Sequence, residues 1–142
     1  EIMPSLVGSE MCIRDRDLLA RVVGAADTGE GLCVVDCTPD AIPDACTHVV
    51  ILVAAEVRSA ASAAQLIVRL EAARCRYVVV LRQRQWASLS AAEVETIIHS
   101  PVLAELPTVR GLTRTVEIGG LPQRLPTPLR KAASAVLQEV GA

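Results

Sequence analysis

The chain has 142 residues, which is enough for one domain with a sizeable core but not comfortably for two. Its 14 basic and 16 acidic residues give a net charge of −2, so it lacks the basic excess of a nucleic-acid-binding domain. One Trp, one Tyr and no Phe argue against base-stacking surfaces and predict an aliphatic core, as a buried parallel sheet requires.

The first sixteen residues differ from the rest of the chain. They have neither a helical nor a strand period, and they lack the basic start and long apolar run of a signal peptide. Residues 6–15, LVGSEMCIRD, resemble the translated transposon-end adapter used in sequencing libraries. We therefore expect residues 1–16 to be non-native. Residues 17–142 are then expected to be the carboxyl-terminal part of one α/β domain whose amino-terminal part is missing.

The remaining sequence predicts alternating strands and helices. Residues 17–25 have the apolar spacing of the end of a helix. Residues 32–37, LCVVDC, are a short apolar run that predicts a strand ending in an acid. Farther along we expect strands over residues 48–55, 75–81 and 101–107, and helices over residues 59–74, 89–100 and from Pro128 onward.

Local signals place the start of the helix over residues 89–100 and predict a further helical turn, and the strands together predict a fold class. Ser90 is a candidate N-cap with Glu93 three residues later, which is the capping-box spacing. Residues 108–120 predict a helical turn that stops at a Gly pair. Strands that are apolar on both faces need helices on both sides, so the predicted fold is an open, mostly parallel α/β sheet.

Four cysteines lie outside the first sixteen residues: Cys33, Cys37, Cys46 and Cys75. They form no C-x-x-C pair, and the chain has no recognisable secretory signal. This pattern favours small, buried hydrophobic side chains in a reducing compartment, and hence a cytoplasmic protein. No run reaches the ~18 apolar residues that a transmembrane helix needs.

The predicted strands suggest where a ligand would bind, because ligands of open α/β sheets lie beyond the carboxyl ends of the strands. Polar residues follow three such ends, in VVDCTPD, VAAEVRS and VVLRQRQ. An apolar run ending in Asp36 has the form of a Walker B strand, whose carboxylate holds Mg²⁺ or orients the water that attacks a γ-phosphate. An Asp that only caps the following loop is the alternative interpretation.

The order of these segments resembles the second half of ParA/MinD-type P-loop ATPases. The matching features are VVDCTPD, a strand running into the "VRS" helix, the strand YVVVLRQ, and a short strand ending in "LP" before a helical segment. The CpaE-like (TadZ) branch is the most similar, and the Pro-rich stretch before LRKAASAVLQEV also resembles it. The resemblance implies ATP and Mg²⁺ as cofactors, a homodimer, and a role in cellular positioning or with components of a pilus or secretion apparatus.

The resemblance also implies particular roles for residues of this chain. Asp36 would be the catalytic and Mg²⁺-binding acid, and Pro39 would shape the loop beside the γ-phosphate. Arg82 or Gln83 would lie near the adenine base, and Pro107 with Thr108 would lie in the loop that closes over it. The chain departs from the family by having Leu81 and Arg82 where an Asn-Arg pair is usual. It also has no G-x-x-x-x-G-K-[ST] sequence to hold the phosphates, so we expect it to be inactive as a fragment.

Two other interpretations remain open. One is a non-hydrolysing scaffold of the same fold, which is favoured by the departure from the usual Asn-Arg pair at Leu81 and Arg82. The other is a receiver-like signalling domain with Asp36 as the phospho-acceptor, although a receiver carries Lys where this chain has Arg82. The sequence upstream of Asp17 would distinguish them, because a Walker A motif favours the ATPase and a pair of Asp residues favours the receiver.

Overall fold

The structure, a computed structural model, describes residues 32–84, 88–120 and 124–141 together with Gly24, which is helical. The chain divides into two compact units, residues 1–47 and residues 48–142. The sixteen-residue segment predicted to be non-native lies outside the described residues. So does the helix predicted over residues 17–25, apart from Gly24.

The described part of the first unit, residues 32–47, is irregular. Two turns shape it, with the Ala41 N–H donating to the Thr38 carbonyl at 2.9 Å and the Cys46 N–H donating to the Pro43 carbonyl at 3.0 Å. The predicted strand over residues 32–37 is wrong, because this run has no strand conformation and the Val34 side chain is 83% exposed. A β-strand exists only through hydrogen bonds to a neighbour, and among the described residues none is paired with this run.

The cysteine prediction is also wrong in part. Cys33 and Cys37 are exposed, while Cys46 and Cys75 are half-buried, and none of these four forms a disulfide. Cys33 and Cys37 were expected to be buried because the run that carries them was expected to lie inside a sheet. Because residues 32–37 form no strand, the side chains of Cys33 and Cys37 are not packed into a hydrophobic core.

The second unit is an α/β arrangement built on a three-stranded parallel sheet in the order β1-β2-β3. Its elements follow one another along the chain as β1 (His48–Ala54), α1 (Val57–Ala72), β2 (Arg76–Arg82), α2 (Ala91–Ile98), β3 (Val102–Leu106), α3 (Leu112–Gly119) and α4 (Thr127–Val140). This confirms the predicted fold class, an open parallel sheet with helices on its faces. The predicted boundaries of these strands and helices lie within two residues of the observed ones, except that α3 begins at Leu112, four residues after the start of the predicted helical turn.

One face of the sheet carries most of the core. Ile51 and Val53 of β1 lie in register with Val79 and Leu81 of β2, and all four are buried. Helix α1 packs on this face and α2 packs against α1. The helices contribute the apolar stripes that their 3.6-residue period predicts: Ala60, Ala63, Ile67 and Leu70 from α1, and Val94 and Ile98 from α2.

The opposite face of the sheet is only partly covered. Val80 of β2 points to this face and is buried, and α4 lies against β2 and β3. On β1, however, Val50 is 47% exposed and Leu52 is 56% exposed. The helix thus covers two strands of the three and leaves an apolar strip along β1.

The predicted capping box at the start of α2 is confirmed. The Glu93 N–H donates to the Ser90 Oγ at 3.4 Å, and the Ser90 N–H donates to the Glu93 carboxylate at 2.8 Å. The Ser90 hydroxyl also donates to this carboxylate, at 2.7 Å. These hydrogen bonds from the Ser90 side chain and backbone favour the ionised form and lower the pKa of Glu93.

Candidate functional site

The carboxyl ends of the three strands form one row at the edge of the sheet. Ala54 of β1 lies opposite Arg82 of β2, and Arg82 lies opposite Leu106 of β3. The residues that follow these positions therefore come from three separate segments and meet at one edge. In parallel α/β sheets this is where ligands bind.

Two of the residues predicted to lie at the base, Gln83 and Thr108, are joined directly. The Gln83 N–H donates to the Leu106 carbonyl at 2.8 Å, which extends the ladder one residue beyond β2. The Thr108 hydroxyl then donates to the Gln83 carbonyl at 3.0 Å. The backbone of Gln83 is therefore held from both sides by the β3 end and the loop that follows it.

The Gln83 side chain makes a further hydrogen bond at this edge. Its Nε2 donates to the Glu105 carboxylate at 3.0 Å. The Gln83 side chain is half-buried, whereas Glu105 is exposed. Gln83, Thr108 and Glu105 make up what we call the Gln83 cluster.

The other two predicted base-site residues flank the Gln83 cluster. The Arg82 carbonyl accepts from the Ala55 N–H at 3.1 Å, and its side chain is exposed. Pro107, next to Thr108 in sequence, is exposed as well. The structure thus brings Arg82, Gln83, Pro107 and Thr108 to one edge of the sheet, but only Gln83 and Thr108 are bonded to each other.

The turn between β1 and α1 is fastened to the loop after β2. Ala55 is completely buried, and its carbonyl accepts from the N–H groups of Ser88 at 3.1 Å and Leu89 at 3.2 Å. The Ser59 Oγ, in the "VRS" stretch, accepts from the Ala54 N–H at 2.9 Å. Ser59 therefore has a structural role at this turn, since its oxygen closes the backbone at the end of β1.

An ion pair that the sequence did not predict crosses the same turn. Arg84 Nη1 lies 2.9 Å from Glu56 Oε1, with both side chains well exposed. Because Ala54 and Arg82 are in register, Glu56 and Arg84 each lie two residues past the paired ends of their strands. Opposite charges at equal distances past two neighbouring strands are the signal that would have predicted this pair. At such exposure the pair contributes at most about 1 kcal/mol.

Asp36 and Pro39 belong to the first unit, where both are exposed. The pKa of the neighbouring Cys37 thiol is raised, first by partial burial of the thiol and then by negative charge on Cys46 and Asp36. Across residues 32–84, 88–120 and 124–141, no three His, Cys, Asp or Glu side chains are grouped so that they could hold a metal ion.

Comparisons with known proteins add no family to this picture. No protein-family model matches the chain, and searches of curated proteins and of solved structures found no significant match. Within the described part of the chain, every helix is too short or too polar to cross a membrane. The fold and the geometry of the sheet edge are therefore the basis for a functional proposal.

Proposed function

We propose that the chain is the carboxyl-terminal part of a ParA/MinD-type P-loop ATPase of the CpaE-like branch, which positions or assembles a pilus or secretion apparatus. The parallel sheet and the order of its elements are compatible with this class. The observation that carries the proposal is the hydrogen bond from Thr108 to Gln83, at 3.0 Å. It joins two segments that the sequence resemblance independently assigns to the nucleotide base.

In the proposed protein the Gln83 cluster forms the base-binding edge. Gln83 offers a side-chain amide one residue beyond Arg82, which compensates for the missing Asn of the usual Asn-Arg pair. Pro107 adds an exposed apolar ring, and Arg82 adds an exposed cation at the same edge. Such a combination can contact the flat, apolar faces and the polar edge of a purine.

Asp36 has the second proposed role, as the acid that holds Mg²⁺ and orders the attacking water. Mg²⁺ bound with ATP takes most of its ligands from phosphates and water, so a single carboxylate suffices from this segment. The phosphates need a Gly-rich loop with a Lys, and this chain contains no such sequence. We therefore propose that ATP hydrolysis, homodimer formation and cytoplasmic function belong to the intact protein.

The test is to rejoin the chain to the coding sequence upstream of Asp17 and measure Mg²⁺-dependent ATP hydrolysis. The rejoined protein should hydrolyse ATP slowly, and the 142-residue chain should not. Asp36→Asn should lower the rate at least ~10²-fold, the effect of losing one group that stabilises the transition state. Asp44→Asn, at another exposed acid of the same unit, is the matched control and should leave turnover unchanged.

Three results would redirect the proposal. Absence of a Walker A motif upstream would overturn it. ATP binding without hydrolysis would favour the non-hydrolysing scaffold, which the residues Leu81 and Arg82 already suggest. Unchanged turnover in Asp36→Asn would reduce Asp36 to a loop residue.

A further inference from the structure

We infer that Glu105 is a positioning residue that fixes the orientation of the Gln83 amide, so that Gln83 accepts a hydrogen bond from the amino group of an adenine. This inference rests on the proposed function, because it specifies which base the Gln83 cluster recognises. It assigns a role to Glu105 that neither the sequence pattern nor the resemblance indicates.

The orientation follows from the chemistry of the two side chains. A glutamine amide has a donor end and an acceptor end of nearly equal size, whereas a carboxylate has only acceptors. The nitrogen of Gln83 therefore faces Glu105, at 3.0 Å. Rotating the amide by half a turn would bring an amide oxygen against a carboxylate oxygen, which is repulsive.

The backbone adds to this fixation. The Gln83 N–H is bonded to the Leu106 carbonyl and the Gln83 carbonyl is bonded to the Thr108 hydroxyl, at 2.8 and 3.0 Å. These two bonds hold the backbone from which the Gln83 side chain extends. With the backbone and the amide nitrogen both held, Oε1 is left as the acceptor of this group.

An oriented acceptor discriminates between bases. It binds the exocyclic amino group of adenine, and it has no partner when that amino group is missing. A site that holds an acceptor in place loses affinity for a ligand without the donor, because the acceptor is then left unpaired. Without Glu105 the amide would turn freely and this selectivity would fall.

The experiment uses the full 142-residue chain and two nucleosides that differ only in the amino group, adenosine and purine riboside. Dissociation constants are measured by NMR titration, following the side-chain amide signals of Gln83. Adenosine should bind about 3- to 10-fold more tightly than purine riboside, the range expected for one neutral hydrogen bond. In Glu105→Gln the ratio should fall below about 2-fold, because a glutamine both donates and accepts.

Glu139→Gln, at an exposed acid of α4, is the control and should keep the wild-type ratio. Equal affinities in the wild type, no binding of either nucleoside, or an unchanged ratio in Glu105→Gln would each overturn the inference. The proposed function is tested separately by ATP hydrolysis in the rejoined protein. If that protein hydrolyses ATP while the nucleoside ratio is unity, the inference alone fails.

Discussion

Two apolar runs of this chain, LCVVDC over residues 32–37 and HVVILVA over β1, have similar sequences and different structures. Both are rich in β-branched residues and neither contains Pro or Gly. In β1 the side chains alternate between buried and exposed, and Val53 is 1% exposed. In the first run Leu32 and Val34 are 55% and 83% exposed, and no strand forms.

A neighbouring strand, rather than composition, decides whether an apolar run of this chain becomes a strand. All seven residues of β1 are paired with β2, and α1 packs on the buried side of the sheet. These partners supply the ladder hydrogen bonds and the apolar surface on which β-propensity depends. Residues 32–37 have no strand partner among the described residues, so the same composition gives an irregular segment.

The comparison predicts very different costs for one substitution made in each region. Leu81→Ala in β2 should lower the free energy of unfolding by about 2–5 kcal/mol, because Leu81 is fully buried and its removal leaves a cavity. Leu32→Ala should change it by no more than about 0.5 kcal/mol. Urea unfolding followed by circular dichroism measures both. Similar losses for the two variants would mean that residues 32–37 belong to the core.

A smaller effect is expected at the capping box of α2. Ser90→Ala should cost about 1 kcal/mol, because it removes an N-cap oxygen that accepts the Glu93 N–H. The hydrogen bonds that the Ser90 hydroxyl and N–H donate to the Glu93 carboxylate lower the pKa of Glu93, so their contribution to stability is present above the ordinary glutamate pKa. This contribution to stability is lost as the pH falls through the lowered pKa of Glu93.

Between the lowered pKa of Glu93 and the ordinary glutamate pKa, the free energy of unfolding should therefore depend less on pH in Ser90→Ala than in the wild type. Urea unfolding at a series of pH values measures this sensitivity. Glu95→Gln is unsuitable as a control because Glu95 accepts the Val102 N–H. Glu117→Gln, on α3, is a suitable one. An identical pH dependence in wild type and Ser90→Ala would show that the box contributes nothing in solution.

The smallest effect on stability is expected on the uncovered side of β1. Val50→Thr with Leu52→Thr should change the free energy of unfolding by no more than about 0.5 kcal/mol, because both side chains are already half-exposed and Thr is suited to strands. Self-association should nevertheless fall, because an exposed apolar edge strand promotes aggregation. Sedimentation velocity across a concentration series measures this.

Val68→Thr is the matched control, since Val68 is an exposed valine on α1. It should leave self-association as in the wild type. A wild-type chain that stays monomeric at every concentration would contradict the expectation for the β1 strip.

The sequence predicted the second unit well because its signals are local. Helical periodicity defined α1, the capping box defined the start of α2, and Pro128 marked the start of α4. Residues 32–37 were mispredicted because strand formation depends on a partner that periodicity does not reveal. Glu56, Arg84 and Glu105 were missed because their contacts depend on the register between strands, which is known only once the sheet is built.

The most direct test of the comparison is amide hydrogen exchange in the 142-residue chain, measured residue by residue. The amides of β2, which is paired on both sides, should exchange at least about a hundredfold more slowly than the amides of residues 33–37. The slow exchange of β2 should report unfolding of the sheet, and the fast exchange should match that of an unstructured peptide. Protection of residues 33–37 to the same degree as β2 would place that run in a stable strand and would contradict the irregular structure described for it.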